Sequence, residues 1–192
     1  MGLFKILTAA KAIADFATDE TTIKATNNIK ALGQSVSGKF RDTDGDGDFD
    51  MDDFNFLLEF SCMYSSIIGH ISTVDSEEIK DDEMDVAIEI INNICFSENG
   101  FLNDAVIEFS EIPKKQIRNM VYDKFSKPNS LKKIAKFATN TEKEEEFYSI
   151  ACTIVMADGI ETKNEREFLN VFANELELTK FDVRSIEKQI ER

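Results

Sequence analysis

Residues 144–173 read EEEFYSIACTIVMADGIETKNEREFLNVFA and hold the pattern that decides the fold. An apolar run follows three glutamates, and later apolar residues recur at intervals of three and four. Between the two parts stands a short segment, Ala157-Asp158-Gly159-Ile160. This spacing is typical of helices that bury one face, and the glycine indicates a break between them. The stretch therefore predicts two helices joined by a tight acidic turn.

The same periodicity continues on both sides of this stretch. We expect an apolar helix from 51 to about 70, and further helices at roughly 82–96, 103–109, 113–126, 129–138, 142–157, 163–175 and 179–191. Two more are expected at 1–17 and 21–32. Only two prolines and eight glycines occur in 192 residues, which favours long helices over strands and turns. The sequence predicts an all-α helical bundle.

A resemblance to a known family begins near residue 82, covers about 110 residues and is clearest at residues 144–190. An apolar helix, the Ala157-Asp158-Gly159 turn, a hydrophobic residue, Glu165 and an amphipathic helix follow one another. This order resembles the TerB family of tellurite-resistance-type proteins. A fainter copy runs from the apolar segment 88–96 to Glu98-Asn99-Gly100. The two copies are consistent with the internal duplication that such domains have.

The resemblance implies a helical bundle with a role in stress response, cation handling or scaffolding, without established catalysis. The acidic positions of the family correspond to Asp158 and Glu165, with Glu161 nearby. These three residues form a second, weaker candidate metal site. The first copy has Asn99 where an aspartate is expected. Asp158 and Glu165 also fit a structural role at the end of one helix and the start of the next, so both interpretations stay open.

The sharpest functional motif is Asp42-Thr43-Asp44-Gly45-Asp46-Gly47-Asp48-Phe49-Asp50-Met51-Asp52-Asp53. A calcium loop of the EF-hand kind needs oxygen ligands at positions one, three, five, seven, nine and twelve, and glycine at six. The corresponding ligands are Asp42, Asp44, Asp46, the backbone carbonyl of Asp48, Asp50 through water, and Asp53, with Gly47 at position six. A hard dication prefers such oxygens. The motif resembles the EF-hand family and predicts a Ca²⁺ site.

Two features set this loop apart from that family. Position twelve is Asp53, which reaches less far than the usual bidentate glutamate, so we expect weaker Ca²⁺ binding or better tolerance of Mg²⁺. The incoming helix is interrupted by Gly33 and Gly38, whereas the helix from Met51 has a regular apolar pattern. The unit is therefore similar to dockerin-type loops with one good helix. A solvated Asp/Gly turn is the alternative.

The net charge of −15 is concentrated around the loop. Residues 42–85 carry fifteen acids and one lysine, whereas the net charge is +3 over 1–41 and −4 over 86–192. Such local acidity indicates either a cation site or a solvated segment. It argues against nucleic acid as a partner, because phosphate binding requires clustered Lys and Arg.

Localisation and partners are predicted more coarsely. The chain has neither a secretory signal pattern at its start nor a run of about 18 apolar residues, so a cytoplasmic protein is predicted. Three cysteines without CxxC spacing indicate buried thiols, and His70 is expected to be a satisfied helix-end residue. Residues 1–17 are expected to dock on the bundle or on a protein partner. Peripheral membrane contact through them is the less favoured alternative.

Two functional hypotheses fit these features. In the first, a calcium-binding regulatory or adaptor protein joins an N-terminal unit (1–74) to a TerB-like bundle (75–192). Ca²⁺ would order residues 42–53 and reposition the helix that follows. In the second, the metal is structural, and the bundle is a non-enzymatic scaffold in a stress-response assembly. No GxSxG, Walker or GxGxxG motif occurs, so no catalytic residue is assigned and no enzyme is expected.

Overall fold

The computed structural model describes residues 48–74, 81–98, 100–156 and 161–190, without the side chains of 81–83, 85 and 86. In these ranges the α-helices are α1 (Met51–Thr73), α2 (Asp81–Ile91), α3 (Asp104–Glu108), α4 (Lys114–Ser126), α5 (Leu131–Asn140), α6 (Glu144–Val155), α7 (Lys163–Glu175) and α8 (Lys180–Ile190). A π-helix, Asn92–Phe96, continues α2. These ranges contain no strand, so the all-α prediction is confirmed for them.

The helix bounds agree closely with the expected ones. The range of α7 is the predicted one, and α1 continues past residue 70 to Thr73. The start of α6 at Glu144 is later than expected because Glu142 has a positive φ of 55°, which a right-handed helix does not contain. The helices expected at 1–17 and 21–32 lie outside the described residues.

Helix α1 lies in the centre of the hydrophobic core. Phe54, Phe60 and Ile67 are fully buried, and α1 packs most extensively against α4 and also against α6. Gly69 permits the close approach to α4, because a Cβ atom there would lie 2.3 Å from the carbonyl oxygen of Phe125. The core of α1 is thus shared with helices from the second half of the chain. The division at residue 74 stays a prediction.

Aromatic rings join α1 to later helices. Phe60 meets Phe101 and Phe147 edge-on, with ring centroids 5.1 Å apart in each pair. Phe56, one turn earlier, stacks on Phe137 of α5 at 5.7 Å. Edge-to-face and offset rings attract beyond their buried area. These contacts fix the start of α1 relative to α5 and α6.

The π-helix ends where the chain turns towards α3. Cys95 is fully buried in it, and its carbonyl oxygen accepts a hydrogen bond from the Leu102 amide at 2.7 Å. Gly100 lies against the same carbonyl group, since a Cβ atom there would be 2.6 Å from it. The turn is therefore tight, and it brings Phe101 and Leu102 back into the core.

Candidate metal site

The closing part of the predicted calcium loop is described and its opening part is not. Residues 48–53 lie within the described ranges, and α1 begins at Met51, position ten of the loop. The side-chain ligands outside the described residues are Asp42, Asp44 and Asp46. The helix expected to leave the loop is therefore present, while the complete ligand set stays a prediction.

Asp50 and Asp53 cap the start of α1 reciprocally. The Asp50 carboxylate accepts hydrogen bonds from the amides of Asp52 (2.7 Å) and Asp53 (3.0 Å). In return, the Asp53 carboxylate accepts one from the Asp50 amide at 3.0 Å, and Asp53 is only 1% exposed. Such a capping box satisfies amides that a helix start leaves unpaired. Sequence reasoning treated both residues as ligands and missed this role, although an acid three residues after the cap was its signal.

Capping does not prevent either carboxylate from binding a cation. An ionised carboxylate offers about four lone-pair sites, so it accepts hydrogen bonds and coordinates metal at the same time. The cap also holds the buried side chain of Asp53 in one direction at the start of α1. A metal bound by the loop would meet this closing carboxylate in a fixed position.

Phe49, position eight of the loop, contacts the bundle directly. Its ring meets the ring of Phe109 edge-on, with centroids 5.1 Å apart and planes at 86°. Phe109 follows α3 as its C-cap and is 48% exposed. The end of the loop is thus held both by its own cap and by a side chain far along the chain.

The second candidate site lies at the start of α7. Asp158 lies outside the described residues, whereas Glu161 and Glu165 are described. Glu165 accepts a hydrogen bond from the Thr162 amide at 2.7 Å, and the Thr162 hydroxyl accepts one from the Glu165 amide at 3.2 Å. Glu165 is 2% exposed. It therefore closes a capping box of the same kind as Asp53.

Arg166 neutralises the acids beside this helix start. Its guanidinium pairs with both carboxylate oxygens of Glu161, one of them at 2.5 Å, and with Glu187 of α8 at 2.5 Å. The Tyr148 hydroxyl donates to the same Glu187 oxygen at 3.1 Å. The planar fork of arginine suits such two-sided pairing. The chain thus supplies its own cation here, a role that the sequence did not reveal.

Within the described ranges, no group of three or more His, Cys, Asp or Glu residues is placed to hold a metal ion. The loop site depends on Asp42, Asp44 and Asp46, and the weaker site depends on Asp158, all of which lie outside those ranges. Both metal sites therefore stay predictions.

The thiols and the histidine are satisfied structural groups. Burial raises the pKa of Cys62 to about 11 and the pKa of Cys95 and of Cys152 to about 12. All three cysteines are free and buried, as the sequence indicates. The Nε2 atom of His70, in the last turn of α1, lies 2.7 Å from the carbonyl oxygen of Asn129. The expectation of a satisfied helix-end histidine is confirmed.

The described residues thus form an all-helical arrangement in which the capped, acidic starts of α1 and α7 adjoin one core. No helix in the described part of the chain is long and apolar enough to cross a membrane. Residues 93–190 match the model of a family described as "Protein of unknown function (DUF533)", which is just over half of the chain. The protein belongs to this family. Comparisons with curated proteins and with solved structures gave no match.

Proposed function

We propose that the protein binds Ca²⁺ through residues 42–53 and acts as a regulatory or adaptor protein. One observation carries this proposal. Seven aspartates occur in twelve residues without a lysine or arginine, and the last of them, Asp53, is held by a cap at the start of a buried helix. Crowded carboxylates repel one another unless a cation neutralises them.

The acidic start of α7 supports this choice by contrast. There Arg166 already neutralises Glu161 and Glu187. An external cation would have to displace the guanidinium. We therefore favour the loop over Asp158, Glu161 and Glu165 as the metal site.

The proposed response is local. The body of α1 is buried among α4, α5 and α6, so a rigid movement of the whole helix would disrupt the core. We therefore place the response in the loop, up to the point where it meets the first turn of α1. Ca²⁺ would order residues 42–53 and tighten that turn.

The preferred ion follows from ligand size. Asp53 at position twelve presents a shorter carboxylate than glutamate, which weakens bidentate binding of Ca²⁺. Mg²⁺ is smaller and requires near-octahedral geometry with retained water. We propose Ca²⁺ as the main ligand, with Mg²⁺ as a competitor.

A non-enzymatic scaffold with a structural metal is the second candidate. Its support is the burial of α1, because a metal at the start of such a helix would stabilise the core without a change of shape. The TerB-like resemblance of residues 144–190 is the sole basis for a link to stress response and to a protein partner. Catalysis is not proposed, since the raised pKa values of the three thiols make them poor nucleophiles at neutral pH.

Calorimetric titration of metal-stripped protein with Ca²⁺, with and without millimolar Mg²⁺, tests the proposal. We expect one site with a Kd on the order of micromolar. Asp42→Ala removes a proposed ligand and should abolish binding. Asp52→Ala is the matched control, because it removes the same charge from position eleven, which is not a ligand position.

Three outcomes separate the hypotheses. Micromolar binding that Asp42→Ala abolishes and Asp52→Ala retains supports a reversible sensor. Binding that is far tighter, with unfolding on metal removal, favours the structural scaffold. No heat in any titration contradicts both metal roles. A dye that binds exposed apolar surface adds a check, since a regulatory loop should change dye binding when Ca²⁺ saturates it.

A further inference from the structure

The contact between Phe49 and Phe109 links two segments that are distant in sequence. Phe49 lies between Asp48, whose carbonyl is the proposed ligand at position seven, and Asp50, the cap of α1. The ring of Phe109 meets it edge-on at 5.1 Å. Phe109, which lies in the DUF533 region, therefore contacts the loop through a ring pair.

The segment that carries Phe109 is braced on both sides. Before it, the Asn103 side chain caps α3 by accepting from the Val106 amide at 3.1 Å. After it, the Ser110 amide donates to the Ile107 carbonyl at 3.0 Å, and the Ile112 amide donates to the Ser110 hydroxyl at 2.9 Å. These hydrogen bonds order the backbone of the turn that carries Phe109.

An ion pair adds a second brace across the same segment. Lys114, at the start of α4, pairs with Asp104 at the start of α3. The pair thus links the start of α3 to the start of α4, across the turn that carries Phe109. A ring that rests on it is restrained even though 48% of Phe109 is exposed.

We propose that Phe109 is a positioning residue for metal binding: through Phe49 it holds the closing end of the loop in its binding arrangement. This inference rests on the proposed calcium function. It adds a residue outside the twelve-residue motif, which the ligand pattern does not contain.

The physical reason is preorganisation. Binding to a loop whose end is already ordered loses less conformational entropy than binding to a loop that must first be ordered. Removal of the Phe109 ring should therefore weaken Ca²⁺ binding although every ligand remains. Coupling is reciprocal, so Ca²⁺ should in turn stabilise the turn that carries Phe109.

The experiment measures Ca²⁺ affinity of the full chain by calorimetry, before and after Phe109→Ala. We expect the Kd to rise about threefold to tenfold, the range that loss of one aromatic pair corresponds to. Phe109→Tyr keeps the ring and should restore the wild-type Kd. Phe181→Ala is the matched control, because Phe181 is 80% exposed on α8. Phe49→Ala combined with Phe109→Ala should weaken binding no further than either change alone.

Hydrogen exchange of the wild-type protein gives an independent readout. Saturating Ca²⁺ should slow exchange of the Ser110 and Ile112 amides. If Phe109→Ala does not fold, this exchange measurement alone tests the inference. An unchanged Kd in folded Phe109→Ala overturns the inference and leaves the calcium site standing. Unchanged exchange at both amides, in a wild-type protein that binds Ca²⁺, also overturns it. A wild-type protein that binds no Ca²⁺ overturns the proposed function and this inference together.

Discussion

Helices α1 and α7 begin with the same device in different surroundings. In each, an acid at the third helical position accepts a hydrogen bond from the cap residue's amide and is almost fully buried: Asp53 is 1% and Glu165 2% exposed. Around α7, Arg166 neutralises the neighbouring carboxylates. The twelve-residue stretch that leads into α1 has no arginine or lysine. Identical capping geometry therefore does not distinguish the two helix starts, and our proposal of a metal at α1 rests on the difference in nearby charge.

The largest expected effect tests whether both helix starts rest on one core. The ordinary thiol pKa is 9.0, whereas folded Cys95 and Cys152 hold their protons to about 12. Above about pH 9 the unfolded chain binds fewer protons, so the free energy of unfolding should fall by about 1.4 kcal/mol per pH unit for each such thiol. This stability is fully present below about pH 9 and is lost as the pH approaches 12.

Urea unfolding at a series of pH values between about 8 and 10.5 measures that slope. Cys95→Ala and Cys152→Ala should each reduce it by the contribution of one thiol. Cys95 lies next to α1, and Cys152 lies in α6 near Glu187. A single transition with equal reductions would place both helix starts on one cooperative core. Two separate unfolding transitions would place the two helix starts in separate cooperative units.

Removal of the Arg166 guanidinium would take away the positive charge that distinguishes the start of α7 from the start of α1. Arg166→Ala removes the guanidinium from the side chains of Glu161 and Glu187, which are 22% and 17% exposed, and leaves Glu187 only its bond from Tyr148 among the contacts described above. Breaking a buried pair costs about 3–5 kcal/mol, and partial exposure of Arg166 reduces this to about 2 kcal/mol. Equilibrium unfolding checks the value. Arg184→Ala, on the exposed face of α8, is the control, and an equal loss in both variants would contradict the assigned role.

A matched pair of cap variants separates capping from metal binding. Asp53→Ala and Glu165→Ala should each lower the free energy of unfolding by about 1–2 kcal/mol, because each leaves a cap amide unpaired. Thermal unfolding with and without Ca²⁺ then distinguishes them. Ca²⁺ should raise the Tm of the wild type and of Glu165→Ala equally, and should leave the Tm of Asp53→Ala unchanged. The reverse pattern would place the metal at α7.

The smallest expected change in the free energy of unfolding lies at the C-terminal end of α7. It gives a value with which the energies of the N-terminal caps are compared. Glu177 follows the helix with a positive φ of 56°, and the Leu178 amide donates to the Ala173 carbonyl at 3.0 Å. Glycine adopts this conformation without steric cost, so Glu177→Gly should raise the free energy of unfolding by about 0.5 kcal/mol. Chemical denaturation measures it. Glu167→Gly, at an exposed position inside the helix, should lower the free energy of unfolding and serves as the control.

The helices were predictable from the sequence, because the apolar spacing that defines each one is local. The capping box of Thr162 and Glu165 could also have been predicted, since a threonine or serine followed three residues later by glutamate is a known signal for the start of a helix. The cap of Asp50 and Asp53 was hidden by a competing pattern. The same aspartates fit ligand positions nine and twelve, and local spacing does not separate the two roles.

The remaining features depend on tertiary contacts. Arg166 and Glu187 belong to different helices, and Phe49 and Phe109 are far apart in the chain. No periodicity connects such pairs, so sequence reasoning had no signal for them. The DUF533 match covers residues 93–190 and thus contains the α7 start but not the α1 start. The calcium hypothesis for residues 42–53 depends on the motif and on the contacts of its closing end.

The π-helix Asn92–Phe96 fixes the number of residues that the chain needs between α2 and Phe101. One residue added to an α-helical turn changes the rotational phase of everything before it by about 100°. Ala87 and Ile91 of α2 are both fully buried, and the chain beyond the π turn brings Phe101 and Leu102 into the same core. A one-residue deletion within 92–96 would convert the turn to α-helix and rotate that apolar face of α2 out of register. The extra residue of the π turn thus sets the rotation of α2 relative to the chain that follows it.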